Sequence, residues 1–222
     1  MATFNLDILP PAQKILWNML EATPRDFVLY GGTALALRLG HRQSVDFDFF
    51  SQSDFDPDEL RRRVSYLDRG RALQKSANTL TYALDLGDEV LVSFFGGVKI
   101  RSIQDPEEAD GPGIFVASLI DLAATKAAVV QARPSAKDYL DLNALLEAKI
   151  PLETALGAAR AVYGAEFNPL LTLKALTYFE EGDLDTVPNE VRQNLAAAVA
   201  AVDLNSLPGF ASRNSLTPIS RV

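Results

Sequence analysis

The run Val45-Asp46-Phe47-Asp48-Phe49-Phe50 constrains this chain more than any other segment. Polar and apolar side chains alternate with a period of two, the pattern of a strand laid on a core by one face. Val45, Phe47 and Phe49 then point one way, and Asp46 and Asp48 the other. Two carboxylates side by side on a rigid element repel each other unless a cation lies between them. Upstream, the apolar run Phe27-Val28-Leu29-Tyr30 breaks at Gly31-Gly32, and Thr33 caps a short helix, Ala34 to Leu39, that Gly40 ends. Glycines let backbone approach a phosphate closely, and a helix start offers unpaired N–H groups to an anion, with the Thr33 hydroxyl as a further donor. Neither feature is specific alone. Together, in this order, they point to phosphates held beside a divalent metal.

Composition narrows the metal. The chain has no cysteine and a single histidine, so oxygen ligands must do the work, which favours magnesium or manganese over zinc. The absence of cysteine suits a reducing compartment. The N-terminus lacks the pattern of a secretory signal, and no stretch approaches the roughly 20 apolar residues of a membrane helix. A soluble, cytoplasmic protein is expected. The net charge of −8 runs against a general nucleic-acid binder. The densest basic stretch is Arg61, Arg62, Arg63, Arg69, Arg71 and Lys75, which reads first as a solvated helix face.

Periodicity predicts an α+β layout, a mixed β-sheet with flanking helices followed by a helical C-terminal half. Helices are expected from Pro10-Pro11 to about Leu20 and from Pro57 to about Leu67. Strand-like runs follow at 72–75, 80–84, 90–95 and 98–103, joined by turns at Asn78, Leu86-Gly87-Asp88 and Gly96-Gly97, as in an antiparallel meander. Residues 105–113 read as a loop. Ser118 and Asp121 resemble a capping box for a helix to about Gln131. Further helices fit 135–148, 151–163, 168–181 and 188–202, and residues from Leu207 to Val222 carry no pattern. The expected division is 1–115 as an α/β core, 116–205 as a helical region completing an active-site cleft, and 206–222 as a tail.

The segment from Gly31-Gly32-Thr33 to Asp46-Phe47-Asp48 resembles the Gly-[Gly/Ser]-[Ser/Thr]…Asp-x-Asp signature of the DNA-polymerase-β-like nucleotidyltransferase superfamily. More closely, GGTALALRLGHRQSVDFDFF resembles the AbiEii/AbiGii toxin-type nucleotidyltransferases of abortive-infection and toxin–antitoxin systems. A second signature of that family, a helical lysine and then Arg…Lys-Asp-Tyr-x-Asp-Leu, matches Lys126 and Arg133 through Lys137-Asp138-Tyr139-Leu140-Asp141-Leu142. The resemblance spans roughly residues 25–147. It implies that Asp46 and Asp48 bind Mg²⁺ or Mn²⁺, that Gly31, Gly32, Thr33, Arg42 and Ser44 contact the triphosphate, that Lys126 offsets phosphate charge, and that Asp138, or less surely Asp141, completes the pocket.

Helical spacing supports Lys126 independently: Leu119, Leu122, Ala123, Lys126, Val130 and Arg133 share one stripe, and a lysine amid a core-facing stripe must reach a partner or water. The rival readings are a lysine that snorkels to solvent and an ordinary surface pair between Lys137 and Asp141. His41 reads as a loop residue. Many members of the superfamily carry a third carboxylate on a later strand as general base; here the strand is Glu89 to Phe95, and Ser93 stands where that acid is sought.

The expected activity is metal-dependent transfer of a nucleoside monophosphate from a nucleoside triphosphate to an acceptor, with tRNA or protein favoured, in a toxin that has an antitoxin partner. An RNA acceptor would meet the arginine-rich stretch at 61–71. The rival functions are a non-catalytic interaction module on the same fold and an antibiotic-type small-molecule nucleotidyltransferase, with a kinase-like phosphate transfer behind them.

Overall fold

The computed structural model describes residues 4–218; the ends of the chain, Met1 to Thr3 and the last four residues of the expected tail, lie outside the described residues. Contacts divide the chain into two compact units. One comprises residues 1–100, 105–118 and 214–222, and the other residues 101–104 and 119–213.

The first unit carries β1 (Val28–Tyr30), β2 (Asp46–Phe50), β3 (Gly70–Ser76), β4 (Thr79–Asp85), β5 (Glu89–Phe95), β6 (Glu107–Glu108) and β7 (Phe115–Val116), with α1 (Pro11–Trp17), α2 (Gly31–Leu39) and α3 (Pro57–Arg63). The strands form one mixed sheet in the order β3-β4-β5-β2-β1-β7-β6. β2 runs parallel to β5 and antiparallel to β1, and β1 runs parallel to β7. Alternation along the strands sets the core: Phe47, Phe49, Leu29, Val92, Phe94 and Leu84 are fully buried. Phe49 stacks on Phe94, and Phe27 meets Phe94 edge-on. The opposite face of β2 holds Asp46, Asp48 and Phe50, all half-buried.

The hairpins β3-β4 and β4-β5 form the expected meander, with Asn78 at φ 57 in the first turn. The expected strand at 98–103 does not form. β5 is already flanked by β4 and β2, so it has no free edge for another partner. After Gly97, at φ +61, the chain turns to the loop before α3, where Val98 N–H donates to the Ser51 carbonyl. The expected loop at 105–113 instead holds a two-residue strand, β6. Its glutamates are fixed by arginines, Glu107 by Arg38 at 2.9 Å and Glu108 by Arg25 at 2.8 Å.

α3 starts as expected, with Asp56 accepting from Glu59 N–H at 2.8 Å. It ends early because Val64, Tyr66 and Leu67 turn inward to full burial, and a 3₁₀ turn replaces the rest of the helix. α2 begins two residues before the expected cap, so Thr33 lies inside its first turn; Gly40, at φ +64, ends it as expected.

The second unit is helical: α4 (Leu119–Val129), α5 (Ala136–Glu147), α6 (Leu152–Tyr163), α7 (Pro169–Ala175) and α8 (Asn189–Ala201). α4 packs on α6 and α5, and α5 on α8. α7 is shorter than its sequence pattern, because Phe179 leaves the helical path and meets Tyr139 edge-on at 5.6 Å. The buried Asp121 carboxylate also accepts from the N–H groups of Ile103 and Gln104 at 2.7 and 3.1 Å, which its sequence spacing does not predict. The patternless segment after α8 is anchored. Arg213 and Ser102 exchange backbone hydrogen bonds, and Arg213 Nε donates to Ser102 Oγ at 2.8 Å. Pro208 lies directly on Gly157 of α6.

No helix among the described residues is long and apolar enough to cross a membrane.

A Cβ at Gly157 would come within 2.2 Å of the Pro208 carbonyl oxygen. Gly157→Ala is therefore expected to destabilise the protein by about 1–3 kcal/mol through overpacking. Gly209→Ala, where a Cβ meets nothing within 4 Å, is expected to stay within about 0.5 kcal/mol of the parent. Urea unfolding of the two variants checks the difference.

Candidate active site

The Gly31-Gly32 bend and β2 are built against each other, side chain against backbone. Gly31 has φ +74, and a Cβ there would lie 2.7 Å from Asp48 Oδ2. Glycine is required here on both counts, conformation and space. At Gly32 a Cβ would meet Arg42 Nη2 at 2.8 Å and Ser44 Oγ at 3.0 Å, so the loop after α2 folds back over the start of that helix. Arg42 Nη1 also donates to the Gln43 carbonyl at 2.9 Å. Gly31, Gly32, Arg42, Ser44 and Asp48 are thereby brought together within one unit, as their spacing predicts.

Thr33 joins them in a different way. Its side chain is fully buried, and its hydroxyl donates to the backbone carbonyl of Asp46. The expected phosphate donor is thus spent inside the protein, tying the first turn of α2 to the strand that carries the aspartates.

Asp46 and Asp48 share a face of β2, about 7 Å apart along the strand. Phe47 between them is fully buried on the other face. Asp46 Oδ1 is buried, and no protein group hydrogen-bonds to it. A buried carboxylate oxygen without a donor costs on the order of 1–3 kcal/mol, and a divalent cation is the partner its charge calls for. The donor set fits magnesium, a hard cation held through one or two carboxylates and completed by substrate phosphates and water. Among the described residues no group of three or more Asp, Glu or His side chains is arranged to hold an ion. Residues 31–34 present the first N–H groups of α2, and the side chain of the N-cap residue, Tyr30, does not cap them.

In the helical unit, Lys126 is buried as its place on the apolar stripe predicts, and it does not snorkel. Its Nζ lies 2.8 Å from Asp138 Oδ1 and 2.6 Å from Asp141 Oδ2. Arg133 Nε donates to Asp138 Oδ2 at 2.9 Å. Asp138 and Asp141 sit one helical turn apart on α5, so one ammonium reaches both. Asp141 is fully buried, which removes the surface pair with Lys137 from consideration. The group is formally neutral, two cations against two carboxylates, as burial of charge requires. The Lys126 charge is already shared between two carboxylates, a use that the sequence pattern alone does not reveal.

The basic stretch is partly neutralised at the surface: Arg61 pairs with Asp68 at 2.5 Å, Lys75 with Asp58 at 2.6 Å and Arg71 with Glu89 at 3.3 Å. β3, which carries Arg71 and Lys75, is an exposed edge strand over its whole length.

Comparison with known proteins gives the family and the fold. The model of the nucleotidyl transferase AbiEii toxin family, type IV toxin–antitoxin system, matches residues 14–211. The curated protein aq_aa25 of Aquifex aeolicus (strain VF5) is 41% identical over 119 residues, 53% of this chain and 56% of that protein. The chain therefore matches little more than half of that relative's length. Among solved structures, a candidate nucleotidyltransferase from H. pylori superposes with a TM-score of 0.53 at 17% identity, covering 85% of this chain and 92% of that one. The nucleotidyltransferase toxin MenT4 of Mycobacterium tuberculosis H37Rv gives a TM-score of 0.51 at 17% identity, covering 87% and 84%. At these identities the structural likeness speaks for the fold.

Removing Lys126 would strand two buried carboxylates. Lys126→Ala is expected to cost about 3–5 kcal/mol of stability. Lys14→Ala, which removes a 3.9 Å surface contact with Asp7, is expected to cost less than about 1 kcal/mol. Chemical unfolding of both variants makes the comparison.

Proposed function

The chain belongs to the nucleotidyl transferase AbiEii toxin family, and from that premise we propose that it transfers a nucleoside monophosphate from a nucleoside triphosphate to a macromolecular acceptor. The observation that carries this reading is the Asp46–Asp48 face set against the Gly31-Gly32 bend, with a buried Asp46 oxygen that no protein donor satisfies. When bound there, Mg²⁺ or Mn²⁺ supplies charge stabilisation for the phosphates. The chain's own residues do the rest. The first N–H groups of α2 and the Arg42 guanidinium offer donors to the triphosphate, and Ser44 adds a hydroxyl beside Gly32. The Thr33 hydroxyl fixes the strand against the bend and so holds the carboxylates in place. The acceptor oxygen forms a bond to the α-phosphorus, the bond to the bridging oxygen breaks, and pyrophosphate leaves with that electron pair.

Lys126 and Asp138 enter the proposal as a coupled pair. The charge of Lys126 is compensated within the helical unit by Asp138 and Asp141. Membership of a toxin family supports a toxin role with an antitoxin counterpart, and it supports tRNA or protein as the acceptor.

Incubation with each α-labelled nucleoside triphosphate, magnesium and cell extract is expected to label one class of macromolecule. Asp46→Asn and Asp48→Asn are each expected to lower that labelling on the order of 100-fold or more. A folded protein that labels nothing with any nucleotide, yet still captures a partner, would favour an interaction module.

A further inference from the structure

Register fixes what stands beside the two aspartates. Asp46 lies opposite Leu91, and Asp48 opposite Ser93, on the parallel strand β5. Paired residues in a sheet share a face, so Leu91 and Ser93 are the β5 side chains next to the carboxylates. Ser93 lies opposite Thr81 of β4, whose hydroxyl donates to Ser93 Oγ at 3.2 Å. On the other side of β2, Tyr30 lies opposite Asp48. The row through Asp48 thus reads Thr81, Ser93, Asp48, Tyr30. The row through Asp46 reads Arg71, Ala83, Leu91, Asp46. Each row contains one carboxylate.

Other acids do not fill the place. Glu89 shares the face but lies four residues from Ser93, about 13 Å along the strand, and pairs with Arg71. Asp138 and Asp141 are buried partners of Lys126. A two-metal centre sets its ions about 3.5–4 Å apart, and here two ions would have to share the same two carboxylates. One magnesium, by contrast, is well served by two carboxylates, phosphate oxygens and water. Resting on the metal–nucleotide reading above, we infer that this chain fixes one divalent ion rather than two, and that Ser93 is the position that sets the number. A carboxylate at 93 would stand beside Asp48 on the same face and supply the missing ligand.

The test counts ions without relying on turnover. Full-length protein, saturated with a non-hydrolysable nucleoside triphosphate analogue, is titrated with Mn²⁺, and free ion is followed by electron paramagnetic resonance against a nucleotide-only blank. The wild type is expected to hold one Mn²⁺ per bound nucleotide, the same number as the blank but more tightly, Ser93→Ala likewise one, and Ser93→Asp two. Ser93→Asp is also expected to gain more thermal stability from Mn²⁺ than the wild type does, because the ion relieves three adjacent carboxylates. Two ions on the wild type would overturn the inference, even if Ser93→Asp fails to fold, and so would one ion on a folded Ser93→Asp. Failure of the underlying reading looks different: the wild type would hold Mn²⁺ no more tightly than the blank, or Asp46→Asn would bind it as tightly as the wild type does.

Discussion

The contact between Gly31 and Asp48 governs the rest of the first unit. A side chain at 31 is excluded by backbone conformation and again by the carboxylate that occupies its space. That exclusion lets the start of α2 press against β2, so that backbone N–H groups and carboxylates share one small region. The Thr33 hydroxyl closes the arrangement from inside by holding the Asp46 carbonyl. Beneath it, the stacked and edge-on contacts of Phe27, Phe49 and Phe94 make the strand a stiff platform. The strand that carries the aspartates is thus fixed from beneath by apolar packing, which is what a site needs if its ligands are to be positioned in advance.

The helical unit handles charge in the opposite manner. Its buried acids are paired within the protein: Asp138 and Asp141 on Lys126, Asp121 on the backbone of 103–104. Lys126 and Arg133 together balance the two α5 carboxylates. In the sheet unit, one oxygen of Asp46 is buried with no donor. The same physical rule, that buried charge must be compensated, is met inside the protein by the helical acids, whereas one oxygen of Asp46 has no protein donor.

Much of this was legible in the sequence. The alternation of residues 45–50, the glycine bend and the meander turns are local signals, and each is realised at or near its predicted position. The apolar stripe around Lys126 foretold its burial, and the spacing of Asp138 and Asp141 put them on one helix face, but their pairing with Lys126 was not legible. What escaped the sequence depends on partners distant in the chain. The run at 98–103 has strand-like residues but no free edge to join, since β5 lies between β4 and β2. The strand at Glu107–Glu108 is polar and short, and it exists because Arg25 and Arg38 hold it. Thr33 read as a phosphate donor because its acceptor, thirteen residues away, is a backbone carbonyl that no side-chain pattern shows. The anchored segment after α8 is fixed by the small size of Gly157 and by one arginine, Arg213.

The central claim is that the face of Asp46 and Asp48 beside the glycine bend receives a divalent ion with its nucleotide. Paramagnetic broadening of backbone amide resonances by Mn²⁺, in the presence of a non-hydrolysable nucleotide, locates the ion directly. The account predicts that the amides of Gly31, Gly32, Phe47, Asp48 and Ser93 vanish first. Broadening centred instead on the acidic segment 105–110, or on Asp85 to Glu89, with the amides of the bend unaffected, would contradict it.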